Sequence, residues 1–207
     1  MLKGIYSTFF LREVRDYLGL IEDYKLHNLI KVSALSIGNL IDYNELSKES
    51  GYSFLSVKKY LNFLEKTYII SLITPFFKNR KKEITKNPKL YFIDTGLRNY
   101  IVEDFRKLNE RPDTSFLLEN IIFTNLRKKD YKPHYWRTKT KKEIDFIIPQ
   151  EKIALEVKNN MEKCKENPST KRFKEDYPEY NILFLYLKGF NKNTFLKNIK
   201  RFPLFVI

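Results

Sequence analysis

Two short runs, Glu143–Ile148 and Ile153–Val157, are separated only by Pro149-Gln150-Glu151-Lys152, a spacing that suits a β-hairpin. No other feature constrains the chain as tightly, because one opposed pair fixes every other pair in the ladder. If Ile148 faces Ile153, then Ile147 opposes Ala154, Asp145 opposes Glu156 and Glu143 opposes Lys158. Side chains alternate between faces along a strand. One face is therefore predicted to gather Glu143, Asp145, Glu156 and Lys158, while Ile144, Phe146, Ile148, Ile153, Leu155 and Val157 make the other a core face.

Two carboxylates opposed at cross-strand distance repel unless a cation neutralises them. Oxygen ligands from Asp145 and Glu156 suit Mg²⁺ or Mn²⁺, and Lys158 on the same face could position a water or offset charge on a phosphate. The plainer alternative is a solvated face on which Glu143 and Lys158 form an ordinary cross-strand ion pair. Three features favour the metal: Asp145 lies in register with Glu156, the opposite face is wholly apolar, and a preceding helix carries Glu119.

Charge bears on what such a site would act upon. The 207 residues include 39 Lys plus Arg against 25 Asp plus Glu, a formal net charge of +14, and polyanions become candidate partners. The excess is local: six basic residues and one acid from Lys78 to Lys89, and eight basic and one acid from Arg127 to Lys142. An acidic metal site on a basic protein points to phosphodiester hydrolysis, with a nucleic acid, DNA before RNA, as the expected partner. No run approaches the roughly 20 apolar residues of a bilayer span, so no membrane partner is expected. The N-terminus Met1–Tyr6 has no apolar core of a secretory signal, and the lone Cys164 has no internal partner and reads as inert; both suit a cytoplasmic protein. His27 and His134, the two histidines, are far apart without Cys neighbours, which argues against zinc.

Periodicity changes twice along the chain. Residues 1–24 alternate apolar and charged positions as an amphipathic helix. A second helix is predicted over 25–39, a third over 43–50 between Asp42 as N-cap and Gly51 as C-cap, and a fourth from Ser53 through Leu55, Val57, Tyr60, Leu61 and Leu64. The β-branched run Tyr68–Thr74 and Leu90–Ile93 then read as two strands, and two strands after a helix-turn-helix make residues 25–107 a winged-helix domain, including a helix from Gly96 to Phe105. A DNA reader of this kind would use Ser53, Ser56, Lys58, Lys59 and Asn62 on the second helix of the motif, and Arg80, Lys81 and Lys82 at the wing tip. A winged helix that binds protein is the bland alternative. Residues 108–207 restart with a long helix toward Lys129, strands at His134–Arg137, Glu143–Ile148, Ile153–Val157 and Asn181–Leu187, a helix before the last strand and another after it, and an apolar end at 203–207. The expected fold class is thus α+β with α/β: a helical winged-helix domain, then a three-layer α/β domain around a mixed sheet. Tyr135 and Trp136 are expected to pack in that sheet.

Glu119 on the first helix, Asp145 on one strand and Glu156-Val157-Lys158 on the next resemble the PD-(D/E)xK, or restriction-endonuclease-like, superfamily. More narrowly, Asn87-Pro88-Lys89-Leu90-Tyr91-Phe92-Ile93-Asp94-Thr95-Gly96-Leu97 looks like a motif of a prokaryotic ATPase family that joins an AAA-type P-loop domain to a winged helix and a nuclease-like domain. Leu118-Glu119-Asn120, Tyr135-Trp136-Arg137-Thr138 and Glu143-Ile144-Asp145 match it also. The resemblance implies that Asp145, Glu156 and the carbonyl of Val157 hold a metal, with Lys158 and Glu119 completing the catalytic set and Glu143 supporting Lys158. Separately, the local charge of the stretch Arg127–Lys142 predicts phosphate contacts from Arg137, Lys139, Lys141 and Lys142. Residues 1–24 would correspond to the exit from the ATPase core. No Gly-x-x-x-x-Gly-Lys-Ser/Thr occurs, so no nucleotide cofactor is expected here, and the ATPase domain becomes a candidate partner. A homo-oligomer is compatible with this reading. Superfamily members include inactive binding modules, so a non-catalytic nucleic-acid-binding or oligomerisation module stands as the alternative function.

Overall fold

A computed structural model describes residues 23–77, 86–160 and 165–188. Residues 1–22, the wing-tip residues Arg80, Lys81 and Lys82, Cys164 and everything after residue 188 lie outside the described residues.

Helix α1 (Asp23–Leu35) buries Leu26, Leu29, Ile30 and Ala34. It stops short of residue 39 because the chain turns through Gly38 at φ +73°, where an added Cβ would lie 2.9 Å from the Phe116 ring. Both the left-handed backbone and that close approach call for glycine. Residues 38–41 then run beside the strand Lys89–Phe92, with the Gly38 N–H donating to Leu90 O and the Ile41 N–H to Pro88 O, each at 2.8 Å. Helix α2 (Tyr43–Ser50) is capped by Asp42, whose carboxylate accepts from the Asn44 and Glu45 N–H groups, and ends at Gly51 in the left-handed region. Helix α3 (Phe54–Lys66) starts from Ser53 and buries Val57, Tyr60, Leu61 and Leu64. These caps sit where the sequence predicts them.

Strands β1 (Ile70–Ile73) and β2 (Lys89–Phe92) pair antiparallel, Ile70 opposite Phe92. The β-branched run enters its strand only at Ile70 because Tyr68 sits at φ +58°. Helix α4 (Thr95–Ile101) is capped by Asp94 and ends four residues before Phe105, as the chain reverses through Glu103 at φ +57°. Arg98, buried on α4, donates from Nε to Ala34 O at 2.8 Å and from its terminal nitrogen to Asp113 at 2.5 Å. It thereby ties the end of α1 to the residue preceding the helix Thr114–Lys128.

Helix α5 (Thr114–Lys128) precedes strands β3 (His134–Arg137), β4 (Glu143–Ile148) and β5 (Ile153–Asn160). Helix α6 (Pro168–Asp176) and strand β6 (Asn181–Lys188) follow. The sheet order is β3-β4-β5-β6, antiparallel except for the β5–β6 pair, which is parallel. A parallel neighbour needs a crossover, and α6 lies within it.

This sheet is covered on both sides. Ile122, Phe123 and Leu126 of α5 pack on Phe146, Ile148, Ile153 and Leu155. Phe173 of α6 packs with Trp136, Ile144, Ile147 and Ala154. The hairpin therefore lacks the single core face expected from alternation. Ile144 sits with Ile147 rather than with Phe146, because the β3–β4 register shifts between His134 and Trp136. Such a bulge inserts one residue, and the side chains beyond it change faces. The two sheets also touch: Tyr135 N–H donates to Thr74 O, and Phe76 N–H to Tyr135 O at 2.6 Å. The result is a mixed helical and sheet protein. Among the described residues no helix is long and apolar enough to cross a membrane.

Candidate functional site

The β4–β5 ladder keeps the register read from the sequence, with Ile148 opposite Ile153, Ile147 opposite Ala154 and Phe146 opposite Leu155. The paired positions then end, and β5 continues beside β6 through Lys158–Tyr186 to Asn160–Lys188. Asp145 and Glu156 stand at this fork. The Asp145 carboxylate takes over from the lost ladder: its Oδ2 accepts the Val157 N–H at 2.7 Å. Val157 thus enters through its N–H. Lys158 pairs with Glu156 Oε2, rather than across the hairpin with Glu143.

Glu143 is engaged elsewhere. Its two oxygens pair with Arg137 Nη1, on the neighbouring strand, and with Lys89 Nζ. Lys89 comes from β2, is 2% exposed, and lies 3.6 Å from Glu119 Oε2 as well. Tyr91, two residues further along β2, donates its hydroxyl to the same Glu119 oxygen at 3.0 Å. The buried Asn120 fixes this arrangement. Its side-chain oxygen accepts the Phe92 N–H and its side-chain nitrogen donates to Phe92 O, both at 2.8 Å, so one amide replaces a missing strand beside β2 and locks α5 onto it.

Lys89, Tyr91 and Asn120 are the members of the cluster that sequence reasoning missed. All three stand within the runs Asn87–Leu97 and Leu118–Asn120 that carry the family resemblance, but nothing there assigns them a role.

The charges press on one another. Burial, and then Asp145, push the Glu119 carboxyl up to about 8 and the Glu156 carboxyl up to about 7. Burial raises Asp145 too. For Lys89 and Lys158 burial would lower the pKa, but the surrounding carboxylates outweigh it and both are raised. Burial and the nearby carboxylates hold the Tyr91 hydroxyl well above its usual range, as a donor.

A carboxyl whose folded pKa exceeds its unfolded value holds a proton that unfolding releases. The stability it contributes is full below about pH 4.5 and is lost as pH rises through 7 and 8. The Tm of the metal-free protein is expected to fall between pH 5 and 8.5, with a limiting slope of about 1.4 kcal/mol per pH unit for each proton. Glu119→Gln should flatten the profile. Thermal unfolding followed across this range checks it, and a wild-type Tm that climbs with pH would contradict it.

The donor chemistry fits a hard divalent cation. Asp145 and Glu156 each use one oxygen on a protein donor and have no other hydrogen bond among the described residues. Glu119 likewise uses a single oxygen, Oε2, for both Tyr91 and Lys89. Among the described residues no three His, Cys, Asp or Glu side chains form a group that could hold a metal.

The expected nucleic-acid contacts divide. Lys139 and Lys141 are exposed and Lys142 half-buried at the β3–β4 turn, next to the Arg137–Glu143 pair. On α3, Ser53 and Ser56 bond each other at the cap, Lys58 lies over the Phe54 ring at 4.5 Å, Lys59 lies 5.8 Å from the centre of the Tyr60 ring, and Asn62 is exposed. Tyr135 and Trp136 are buried, as their core reading expects. A cavity of about 330 Å³ lined by Arg111, Thr114, Ser115, Asn159 and Asn160 opens just beyond Lys158 on β5.

The described residues define a mixed α/β protein with a partly buried carboxylate–lysine cluster where its smaller sheet and α5 meet the fork of its larger one. The chain belongs to the family described as a domain of unknown function (DUF8612), whose model matches residues 1–112. A second domain of unknown function (DUF4143) matches residues 114–204. An uncharacterised protein of Haemophilus influenzae is 23% identical over 197 residues, 90% of this chain and 47% of that protein. Uncharacterised proteins of Mycobacterium bovis and Mycobacterium tuberculosis are each 26% identical over 115 residues, 54% of this chain and 26% of theirs. The chain thus spans less than half the length of these relatives. No solved structure matches it.

Proposed function

We propose that this chain binds DNA and hydrolyses phosphodiester bonds with Mg²⁺ or Mn²⁺, as the winged-helix and PD-(D/E)xK nuclease-like part of an AAA-type ATPase. The observation that carries the reading is the fork at which Asp145, Glu156 and Lys158 converge, at the end of a sheet whose order is helix, three antiparallel strands, helix and a parallel strand. Three helices, the short 38–41 pairing and the β1–β2 ladder support the winged-helix half. Relatives about twice as long as this chain have room for an ATPase region.

Asp145 and Glu156 would hold the ion, with the Val157 carbonyl beside them, and its chemistry there is Lewis acidity at a phosphate and a lowered pKa for a bound water. Lys158, held by Glu156, would orient the attacking water or offset charge on the phosphate. Arg137 and Glu143 fix the base of the turn carrying Lys139, Lys141 and Lys142, which would meet the backbone. Incubation with plasmid, single-stranded DNA and RNA, with and without Mn²⁺, tests this reading. Cleavage only with metal is expected.

A second reading, a non-catalytic binding or oligomerisation module, is favoured by one observation: every carboxylate of the cluster already has a protein partner. Survival of all substrates through prolonged incubation would select it. The nuclease reading and the nucleic-acid-binding form of the second reading both expect duplex binding with little sequence preference. If about five phosphates are neutralised, log affinity should fall against log salt with a slope of roughly −4 to −5. Fluorescence anisotropy between low and moderate salt measures it, and a flat dependence would remove DNA as the partner.

A further inference from the structure

Lys89 does not belong to a surface. It is 2% exposed, on a strand whose residues are all buried, and taking an ammonium out of water costs several kcal/mol unless close opposite charges return it. Its partners are Glu143 and Glu119, which sit on a different sheet and on α5. Tyr91 and Asn120 hold the geometry from either side. Four carboxylates, Glu119, Glu143, Asp145 and Glu156, thus share Lys89, Arg137 and Lys158. The compensation is uneven. Among the described residues Glu143 pairs with two cations and Glu119 with one plus a hydroxyl, whereas Asp145 is bonded to a backbone N–H and feels Lys89 and Lys158 without pairing with either, and Glu156 pairs with Lys158.

We infer that Lys89 is a built-in cation standing where a second divalent ion would otherwise bind, so that the centre takes a single Mg²⁺ or Mn²⁺ at Asp145 and Glu156. Glu119 is then the partner of Lys89 and not a metal ligand, and one half of the chain supplies a positioning residue to the other. The count in the wild type rests on the metal reading above. The role of Lys89 does not.

The test counts Mn²⁺ equivalents bound to the full chain, by calorimetry and by the electron paramagnetic resonance signal of free Mn²⁺. Wild type should bind one. Lys89→Met frees Glu143 Oε1 and leaves Glu119 Oε2 with the Tyr91 hydroxyl alone, and it should gain a second equivalent, which Lys89→Met combined with Glu119→Gln should lose again. Asp145→Ala should lose the first. A Lys89→Met protein with the wild-type count would overturn the inference. If wild type binds none and Lys89→Met binds one, the role of Lys89 stands and the metal reading at Asp145 and Glu156 fails. Should Lys89→Met not fold, Glu119→Gln alone decides: an unchanged count of one supports the inference, and loss of that ion overturns it.

Discussion

Asp145→Asn is expected to lower Mn²⁺-dependent cleavage by about a thousandfold, which corresponds to roughly 4 kcal/mol of transition-state stabilisation. Asparagine keeps a side-chain oxygen to accept the Val157 N–H, the 2.7 Å bond that Asp145 makes where β4 and β5 part. It removes only the charge. Stability should therefore stay near wild type, whereas Asp145→Ala would also strand that N–H at a cost of about 1–3 kcal/mol. Lys158→Met should abolish cleavage as well yet leave DNA binding largely intact, since one charge contributes about one unit or less to the salt slope. Glu143→Gln should only reduce the rate, because Glu143 faces Arg137 and Lys89. Single-turnover rates with matched binding curves separate these effects. Wild-type rates in Asp145→Asn would remove the carboxylate from the chemistry.

What the sequence made legible was local. Asp42 and Ser53 as caps and Gly51 as a stop are visible because capping uses atoms within three or four residues of the cap itself. The Asp145–Glu156 neighbourhood is visible because a short turn sets the hairpin register, and the first three pairs follow it. The next step was not visible. Extending the same register pairs Glu143 with Lys158, but the strands fork there, and each finds another partner: Lys158 goes to Glu156, and Glu143 to Arg137 and Lys89.

Lys89 illustrates the general obstacle. In sequence it closes a basic stretch, where a solvent-facing wing is the natural reading. Its burial depends on α5 and β4, which lie about 30 and 55 residues further along, and nothing within its own strand encodes that contact. The misplacement of Ile144 has a similar origin, since alternation assumes an unbroken ladder and the bulge opposite His134–Trp136 breaks it. Lys58 and Lys59, assigned to phosphate from their exposed helical positions, lie over neighbouring rings in the unbound protein. Cation–π contacts at exposed sites are worth only about 0.5–1 kcal/mol, so a phosphate can compete for both.

Asn120→Leu should produce the largest loss of stability among substitutions near the site. Leucine is similar in size but removes both bonds to Phe92, one to its N–H and one to its carbonyl. Both lie in a fully buried place, and each unsatisfied group costs about 1–3 kcal/mol, so the total is about 2–6 kcal/mol. For a chain of this length, at about 2–4 °C per kcal/mol, that lowers Tm by roughly 4–24 °C. Thr124→Val, on the same helix but bonded only within it to Ile121 O, is the control and should stay within about 1 kcal/mol. The amide clamp also sets the distance between α5 and β2, so its loss should release Glu119 from Tyr91 and Lys89. The Tyr91 hydroxyl would then lose its acceptor, and its raised pKa should move back toward the ordinary tyrosine value. Ring-carbon NMR shifts of labelled tyrosines, with the Tyr91 signal assigned by Tyr91→Phe and compared between wild type and Asn120→Leu at a temperature where both are folded, read this. A Tyr91 that titrates unchanged in a destabilised Asn120→Leu protein would mean that the clamp holds the fold together without placing Glu119.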